Sequence, residues 1–261
     1  MISSGFDTAA CSAALGANAS DFQLDNRVEC DSTNSQLMHR AAEGARSGTV
    51  LIAARQTAGR GRLGRTWISS PQQSLTFSLL WRFAPDSSAP EALSLVVGLG
   101  LQRALAVAGI KALVKWPNDI LCEGRKLAGV LIETQPGDMK SAVIGVGINL
   151  ALPPDLPVDI ASLAIGLDEL LPAMPEREPL LALLLSHLAG ILRRYETDGF
   201  VALRDEWQAR HAYQGCNVRI NGGAENIAGV CSGINDQGEL LVNTKQGIRR
   251  VISGDVTLRL A

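Results

Sequence analysis

The sequence has little of what metal centres and disulfide frameworks require. Its 261 residues include three histidines and five cysteines. The cysteines are widely spaced, odd in number and without a C-x-x-C pair, and the histidines lack metal-ligand spacing. A G-x-S-x-G element does not occur either. These gaps argue against a zinc site, a disulfide scaffold, and metal- or serine-dependent hydrolysis.

Long apolar runs and a large net charge are missing as well. No segment reaches the roughly 20 apolar residues of a membrane span. Residues 1–26 contain no Lys, no Arg and no signal-peptide core. The net charge is −2, so the chain is not generally basic in the manner of nucleic-acid-binding proteins. We therefore expect a cytoplasmic protein that binds neither membranes nor nucleic acid.

The pattern of the chain predicts a large α+β domain followed by a small β module. Residues 1–26, rich in Ala, Ser, Gly and Asn, are predicted to be a loose leader, too short for a DNA-binding domain. Residues 27–212 alternate between strand and helix patterns, and residues 213–261 change to short strands separated by Gly and Asn turns. A 261-residue chain that is 46% hydrophobic can bury such a core.

Periodicity predicts the main elements. Apolar residues alternate with Thr and Ser over 74–80, which indicates a half-buried strand. Further strands are predicted at 49–54, 126–133 and 142–149, and helices at 34–46, 90–108, 179–195 and 200–211. The terminal module is predicted to be barrel-like, with strands near 218–220, 227–231, 239–243 and 248–252.

Residues 59–65 form an arginine loop, in which Arg60, Arg62 and Arg65 alternate with glycines. Three clustered arginines repel one another, and a bound anion such as phosphate would order them. The glycines allow backbone N–H groups to approach a ligand closely. The loop fits neither the Walker nor the Rossmann pattern. It is predicted to clamp a phosphate-bearing ligand, the alternative being a solvated basic turn.

Other polar residues stand at predicted strand ends. Lys115 and Asp119 flank a Trp-Pro-Asn turn, and Lys126 opens the next strand. Asp119 alone would also suit an Asx turn, and Lys126 a solvated strand end. Ser32 and Thr33 precede a helix pattern, where capping is an alternative to ligand contact.

Five motifs together resemble biotin protein ligases, from about residue 27 to the C-terminus. They are Ser32-Thr33-Asn34, the run from Gln56 through the arginine loop to Trp67, Lys115-Trp116-Pro117-Asn118-Asp119, Arg125-Lys126-Leu127-Ala128-Gly129, and Gly145-Val146-Gly147-Ile148-Asn149. The second and third are specific together, and Thr57 and Leu63 depart from the family pattern. The resemblance implies a mixed sheet with flanking helices, similar to class II aminoacyl-tRNA synthetases, and a C-terminal SH3-like barrel. The chain resembles the ligase-only class.

The resemblance also implies a two-step reaction. Biotin and ATP, with Mg²⁺, would give biotinyl-5′-AMP and pyrophosphate, and a lysine of a biotin carboxyl carrier domain would then take the biotinyl group. The acceptor would belong to acetyl-CoA carboxylase or a related carboxylase, and a homodimer is compatible with the family. Such chemistry requires positioning and charge neutralisation more than a protein nucleophile.

The family pattern assigns roles to individual residues. Biotin would be bound by Ser32, Thr33, Gln56, Gly59, Arg60, Arg62, Lys126 and Gly129. ATP would be bound by Arg62, Arg65, Trp67, Lys115, Asn118, Lys126 and Asn149. Arg62, Lys115, Asp119 and Lys126 are the candidate catalytic residues, with Asp119 orienting the acceptor lysine or taking its proton. No dedicated metal cage is expected; Mg²⁺ would be held by phosphates, with Asn118 as a candidate ligand.

Two other functions remain open at this point. Lipoate or octanoate transferases share the fold and would act on lipoyl carriers. A non-catalytic nucleotide- or nucleic-acid-binding module would use the arginine loop and the terminal barrel, and its binding would depend strongly on salt.

Overall fold

The structure is a computed structural model that describes residues 5–84, 87, 91–135, 138–222, 226–253 and 256–261. Its larger sheet contains β1 (Gln23–Cys30), β2 (Thr49–Gln56), β3 (Ser74–Arg82), β4 (Leu113–Lys115), β5 (Asp119–Cys122), β6 (Arg125–Gln135) and β7 (Asp138–Asn149), in the order β1-β2-β3-β7-β6-β5-β4. β1 and β2 are parallel and the other neighbours antiparallel. The predicted mixed sheet is confirmed.

Helices cover both faces of this sheet. They are α1 (Thr8–Leu15), α2 (Thr33–Ala42), α3 (Leu93–Val107), α4 (Val158–Ala161), α5 (Arg177–Asp198) and α6 (Val201–Ala209), with 3₁₀ turns at Gly16–Asp21, Arg62–Gly64 and Leu167–Glu169. The helix predicted at 90–108 corresponds to α3, and its predicted start at residue 90 lies outside the described residues. None of the helices described is long and apolar enough to span a bilayer.

β3 lies between two apolar clusters. Leu79 belongs to the main core with α3 and α5, whereas Leu80 packs with Leu37 of α2 on the other face. Side chains alternate between the two faces of a strand, and each face of β3 packs against one of these clusters. The side chains on both faces are therefore buried. The strand predicted for residues 74–80 is confirmed, but the prediction that one of its faces is exposed is wrong. Even Ser78 is fully buried.

The segment predicted to be a loose leader is structured from residue 5 onward. Asp7 caps α1 by accepting hydrogen bonds from Ala9 N at 2.9 Å and Ala10 N at 3.0 Å. Cys11 and Leu15 are buried in the main core, where α1 packs on α5. The alanines of the helix are exposed, and Cys11 and Leu15 alone among its residues are buried, so a composition rich in small residues does not indicate disorder here.

The terminal module is a five-stranded antiparallel sheet. It consists of β8 (Asn217–Asn221), β9 (Ile227–Ile234), β10 (Leu240–Thr244), β11 (Gly247–Val251) and β12 (Thr257–Leu260), in the order β11-β10-β9-β8-β12. Four strands were predicted and β12 was not. Trp116, fully buried, joins this module to the larger sheet by donating from Nε1 to the Gly238 carbonyl at 3.0 Å.

Candidate functional site

A cleft lies between the arginine loop, β3, β6 and β7, the turn at 116–118, and β12. It contains about 950 Å³ of empty space, part of which is open solvent. The predicted site residues that line it are Ser32, Thr33, Gln56, Arg60, Arg62, Arg65, Trp67, Lys115, Asn118, Asp119, Lys126 and Gly129. Motifs separated by up to about a hundred residues thus meet at one place.

Hydrogen bonds hold the arginine loop at both ends. Trp67 N donates to the Gly59 carbonyl at 2.9 Å, and Gly61 N donates to the Arg65 carbonyl at 2.7 Å. Gly59 does not line the cleft; a Cβ there would lie 2.4 Å from the Trp67 carbonyl oxygen. Its small size is therefore needed for the loop to close on itself.

Protein groups already hold two of the loop arginines. Arg60 Nη2 contacts Glu133 Oε2 at 2.7 Å. Arg62 Nη1 donates to Asn118 Oδ1 at 3.2 Å, and its Nη2 donates to the Ser253 carbonyl of the terminal module. This arrangement differs from a solvated basic turn, because the arginines tie the loop to three other parts of the chain.

One end of the cleft rests on a buried polar network of Thr33, Asn34, Gln56 and Ser78. Thr33 N and Oγ1 donate to Gln56 Oε1 at 2.7 and 3.1 Å. Ser78 Oγ lies 2.7 Å from Thr33 Oγ1 and 2.5 Å from Asn34 Oδ1. Ser32 caps α2 by accepting from Ser35 N at 3.4 Å, so capping and lining the cleft are both uses of this segment.

The other end contains a charge cluster of Lys115, Asp119 and Lys126. Asp119 Oδ1 lies 2.6 Å from Lys126 Nζ, and Oδ2 lies 3.3 Å from Lys115 Nζ. Burial by itself raises the pKa of Asp119. The charges and hydrogen bonds of the two lysines, Lys126 foremost, together outweigh this effect, so the pKa of Asp119 lies below its usual value. Burial lowers the pKa of Lys115, and Asp119 offsets this only in part. Asp119 is thus neither a simple Asx-turn residue nor a free base.

Trp67 packs against the sheet at the two glycine motifs. A Cβ on Gly147 would lie 2.3 Å from Trp67 Cε2, and one on Gly129 would lie 3.0 Å from Lys126 Nζ. Lys126 Nζ lies 5.8 Å from the Trp67 ring centroid. Asn149 does not line the cleft; its Nδ2 donates to the Lys126 carbonyl at 3.2 Å and thereby fixes the backbone of Lys126.

Several residues around the cleft were not predicted. Arg259 of β12 lines it, and its charge contributes to lowering the pKa of Lys115. The alternation of Leu258 and Arg259 with their neighbours could have revealed this strand. Ser78 and Glu133 carry no sequence signal, because a serine and a glutamate in strand patterns are typical of solvent-facing positions.

The described residues that line the cleft include few groups suited to hold Mg²⁺. Among the described residues that line it, Asp119 alone is acidic, and two lysines neutralise it. The Asn118 side-chain oxygen accepts from Arg62. No group of three or more His, Cys, Asp or Glu in the described part of the chain could hold a metal ion.

Comparisons with known proteins agree with this geometry. Residues 27–149 match the biotin/lipoate A/B protein ligase family, and residues 214–259 match the biotin protein ligase C-terminal domain. The biotin–acetyl-CoA-carboxylase ligase of Mycobacterium tuberculosis is 34% identical, covering 93% of this chain and 91% of that protein. The bifunctional ligase/repressor BirA of Escherichia coli is 36% identical, covering 88% of this chain and 72% of that protein.

A solved structure shares the arrangement of both parts. The biotin protein ligase of Aquifex aeolicus in complex with biotin and ATP superposes with a TM-score of 0.79 at 29% identity, covering 92% of this chain and 99% of that one. The C-terminal sheet agrees with an SH3-like module of the kind predicted. On its sequence relatives and its fold together, the chain belongs to the biotin protein ligase family.

Proposed function

We propose that the protein forms biotinyl-5′-AMP from biotin and ATP and transfers the biotinyl group to a lysine of a biotin carboxyl carrier domain, in acetyl-CoA carboxylase or a related carboxylase. The carboxylase follows the names of relatives from M. tuberculosis and Paracoccus denitrificans. The observation that carries the proposal is the charge cluster, which shares one cleft with the arginine loop. Two anionic substrates need such an arrangement in order to meet.

In the first step, a biotin carboxylate oxygen bonds to the α-phosphorus of ATP, the bond to the β-phosphate oxygen breaks, and pyrophosphate leaves. We assign contact with both the carboxylate and the α-phosphate to the Lys126 ammonium, and stabilisation of the adenylate to Arg62, because both side chains line the cleft. Lys115 and Arg65 neutralise the remaining phosphates. ATP enters with Mg²⁺ on its phosphates, which supplies further charge neutralisation.

In the second step, the carrier lysine attacks the acyl carbon as a neutral amine, and AMP leaves. The lowered pKa of Asp119 keeps its carboxylate ionised at neutral pH and makes it a weak base. Of the two roles left open above, we therefore assign Asp119 the orienting role. It would accept a hydrogen bond from the incoming amine when the substrates shift Lys126 away from it.

Substrate binding divides the cleft into two ends. We assign the biotin ring to Ser32, Thr33, Gln56, Gly129 and the backbone of Arg60, because a ureido group needs both donors and acceptors; Gly59 acts on this site only by allowing the loop to close on itself. We assign the nucleotide to Trp67, Asn118 and the cationic residues, with Asn149 acting on the adenine or through the Lys126 backbone. Closure of the loop over the bound adenylate would exclude water and protect the mixed anhydride from hydrolysis.

Pyrophosphate release tests the first step. With MgATP, we expect release that depends on biotin and is not supported by lipoate. Release with lipoate but not with biotin would instead indicate that the protein is a lipoate ligase, an activity that the matched biotin/lipoate A/B protein ligase family also includes. Release with neither substrate, combined with salt-dependent oligonucleotide binding, would overturn the enzymatic proposal in favour of a binding module.

A further inference from the structure

We infer that Glu133 is a positioning residue for the arginine loop, linking the loop to the buried polar network under the biotin end of the cleft. The inference rests on the proposed function. Glu133 lies on β6 and does not line the cleft itself. One of its carboxylate oxygens, Oε2, accepts from Arg60 Nη2 at 2.7 Å and from Asn34 Nδ2 at 2.8 Å. A single atom thus joins the loop to helix α2.

The Asn34 side of this link is rigid. Asn34 is only 3% exposed, and its Nδ2 also donates to the Leu131 carbonyl at 3.3 Å. Its Oδ1 accepts from Ser78 Oγ, and a Cβ on Gly145 would lie 2.3 Å from it. Asn34 therefore cannot follow Arg60 if the loop moves, so Glu133 acts as a fixed anchor.

The Arg60 side of this link is more exposed to solvent. Its side chain is 44% exposed, against 25% for Glu133. Arg60 makes an antiparallel bridge with Thr66 across the arginine loop. The bond to Glu133 therefore fixes the side chain of a residue at which the two sides of the loop meet. Because the bond is charge-assisted, it is stronger than a neutral hydrogen bond would be.

The same network reaches the loop a second time. From Glu133, contacts within hydrogen-bond distance continue in the order Asn34, Ser78, Thr33 and Gln56, the last link being the bond that Thr33 N donates to Gln56 Oε1. Gln56 stands just before the loop, and Arg60 stands within it. A ligand that takes over the bonds between Thr33 and Gln56 therefore acts on the same chain of contacts that holds Arg60. Biotin binding and loop closure are coupled through Glu133.

Glu133→Gln tests this coupling, because it keeps the shape of the side chain and removes its charge. The matched control is Glu206→Gln, which removes a carboxylate of similar exposure, 26%, that pairs with Arg103 away from the cleft. Four quantities are measured for each protein. They are the KM for biotin and the kcat in pyrophosphate release, the rate of trypsin cleavage after Arg60, Arg62 and Arg65, and the thermal unfolding temperature.

We expect Glu133→Gln to raise the KM for biotin and the rate of loop cleavage by roughly three- to tenfold. This is the size of effect expected from the loss of one partly exposed, charge-assisted hydrogen bond. The kcat should stay within about twofold, since Glu133 touches no reacting atom. Biotin should slow cleavage of the wild type and of Glu206→Gln more than that of Glu133→Gln. Adding Arg60→Gln to Glu133→Gln should raise the KM little further.

A lower kcat with unchanged KM, or loop cleavage no faster than in Glu206→Gln, would overturn the inference. So would fully additive effects of Arg60→Gln and Glu133→Gln on KM. If the wild type released no pyrophosphate with biotin, the proposed function would fail instead. The cleavage rates without ligand would still report whether Glu133 holds the loop.

Discussion

At the scale of single residues, Asp119 shows how neighbours set the charge of a buried group. Desolvation alone would favour its neutral form, but ammonium groups at 2.6 and 3.3 Å outweigh that effect and hold its pKa below the usual value. The sequence placed Asp119, Lys115 and Lys126 in one candidate site through the family motifs. It could not indicate the direction of the pKa shift, which depends on distances and burial.

Lys126→Ala should abolish formation of the adenylate. Removing the ammonium leaves the carboxylate and the α-phosphate to repel each other, and we expect the rate of pyrophosphate release to fall by about 10²- to 10³-fold or more. The control is Lys111→Ala, at an exposed position before β4. Adenylate formation at the normal rate would remove Lys126 from the catalytic residues.

Arg62→Gly should release the adenylate early. Arg62 joins the arginine loop to Asn118 and to the Ser253 carbonyl, so its loss opens the loop on two sides. Free adenylate reacts with any exposed lysine, and a bystander protein without a carrier domain should become biotinylated. Mass spectrometry of the bystander measures this. Carrier selectivity equal to that of the wild type would contradict the assignment.

At the scale of elements, Trp67, which follows the arginine loop, can pack on β7 only because residue 147 is a glycine. Gly147 lets the Trp67 ring lie directly on the strand, at 2.3 Å from where a Cβ would be. The sequence indicated both residues through separate motifs. Their contact could not be predicted, because strand periodicity does not specify which loop folds over which face.

Gly147→Ala should displace Trp67 and raise the KM for ATP by about tenfold or more, while the protein stays folded. Gly190→Ala in α5 is the control, since a Cβ there meets nothing within 4 Å. It should leave the kinetics unchanged and stabilise the fold by roughly 0.5–1 kcal/mol, as expected for Gly to Ala in a helix. An unchanged KM for ATP in Gly147→Ala would refute the proposed place of Trp67.

Two elements show the limits of reading periodicity. Residues 74–80 alternate as a half-buried strand would, yet α2 covers the second face and Ser78 is buried by bonding to Thr33 and Asn34. β12 is short and was missed, although Arg259 brings a charge to the cleft from it. Burial of a polar residue depends on a tertiary partner, and local sequence does not contain that partner.

At the scale of the whole molecule, His211 stands where the two parts of the chain meet. It is 5% exposed, stacks on Trp207 at 4.8 Å, and its Nε2 accepts from Trp116 N at 3.4 Å. Burial, and then the charge of Lys115, lower its pKa to about 4. The imidazole is therefore neutral in the folded protein across most of the acidic range.

This lowered pKa makes stability depend on pH. Between pH 6.5 and 4 the unfolded chain binds a proton at His211 that the folded protein does not, so the free energy of unfolding falls as pH decreases through that range. The contribution amounts to about 3 kcal/mol in total. His211→Gln should lower stability at neutral pH and weaken this pH dependence. Denaturant unfolding of both proteins measures it, and equal pH dependence would contradict the interpretation.

The sequence predicted the overall plan better than the contacts between its parts. The motifs around Arg62, Asp119 and Lys126 do meet in one cleft. The participation of Ser253 and Arg259 was missed, since it depends on how the terminal module docks on the larger sheet. The prediction of a loose leader is wrong for residues 5–26, because composition alone cannot identify a short helix that packs on α5 with only Cys11 and Leu15 buried.

The central claim is the transfer of biotin to a carrier lysine, and the mass of a carrier domain after reaction tests it most directly. The protein is incubated with biotin, MgATP and a biotin carboxyl carrier domain, in parallel with the same domain whose acceptor lysine is changed to arginine. We predict a gain of one biotinyl group on the unchanged domain and none on the variant. An unmodified carrier, or equal labelling of both domains, would contradict the account.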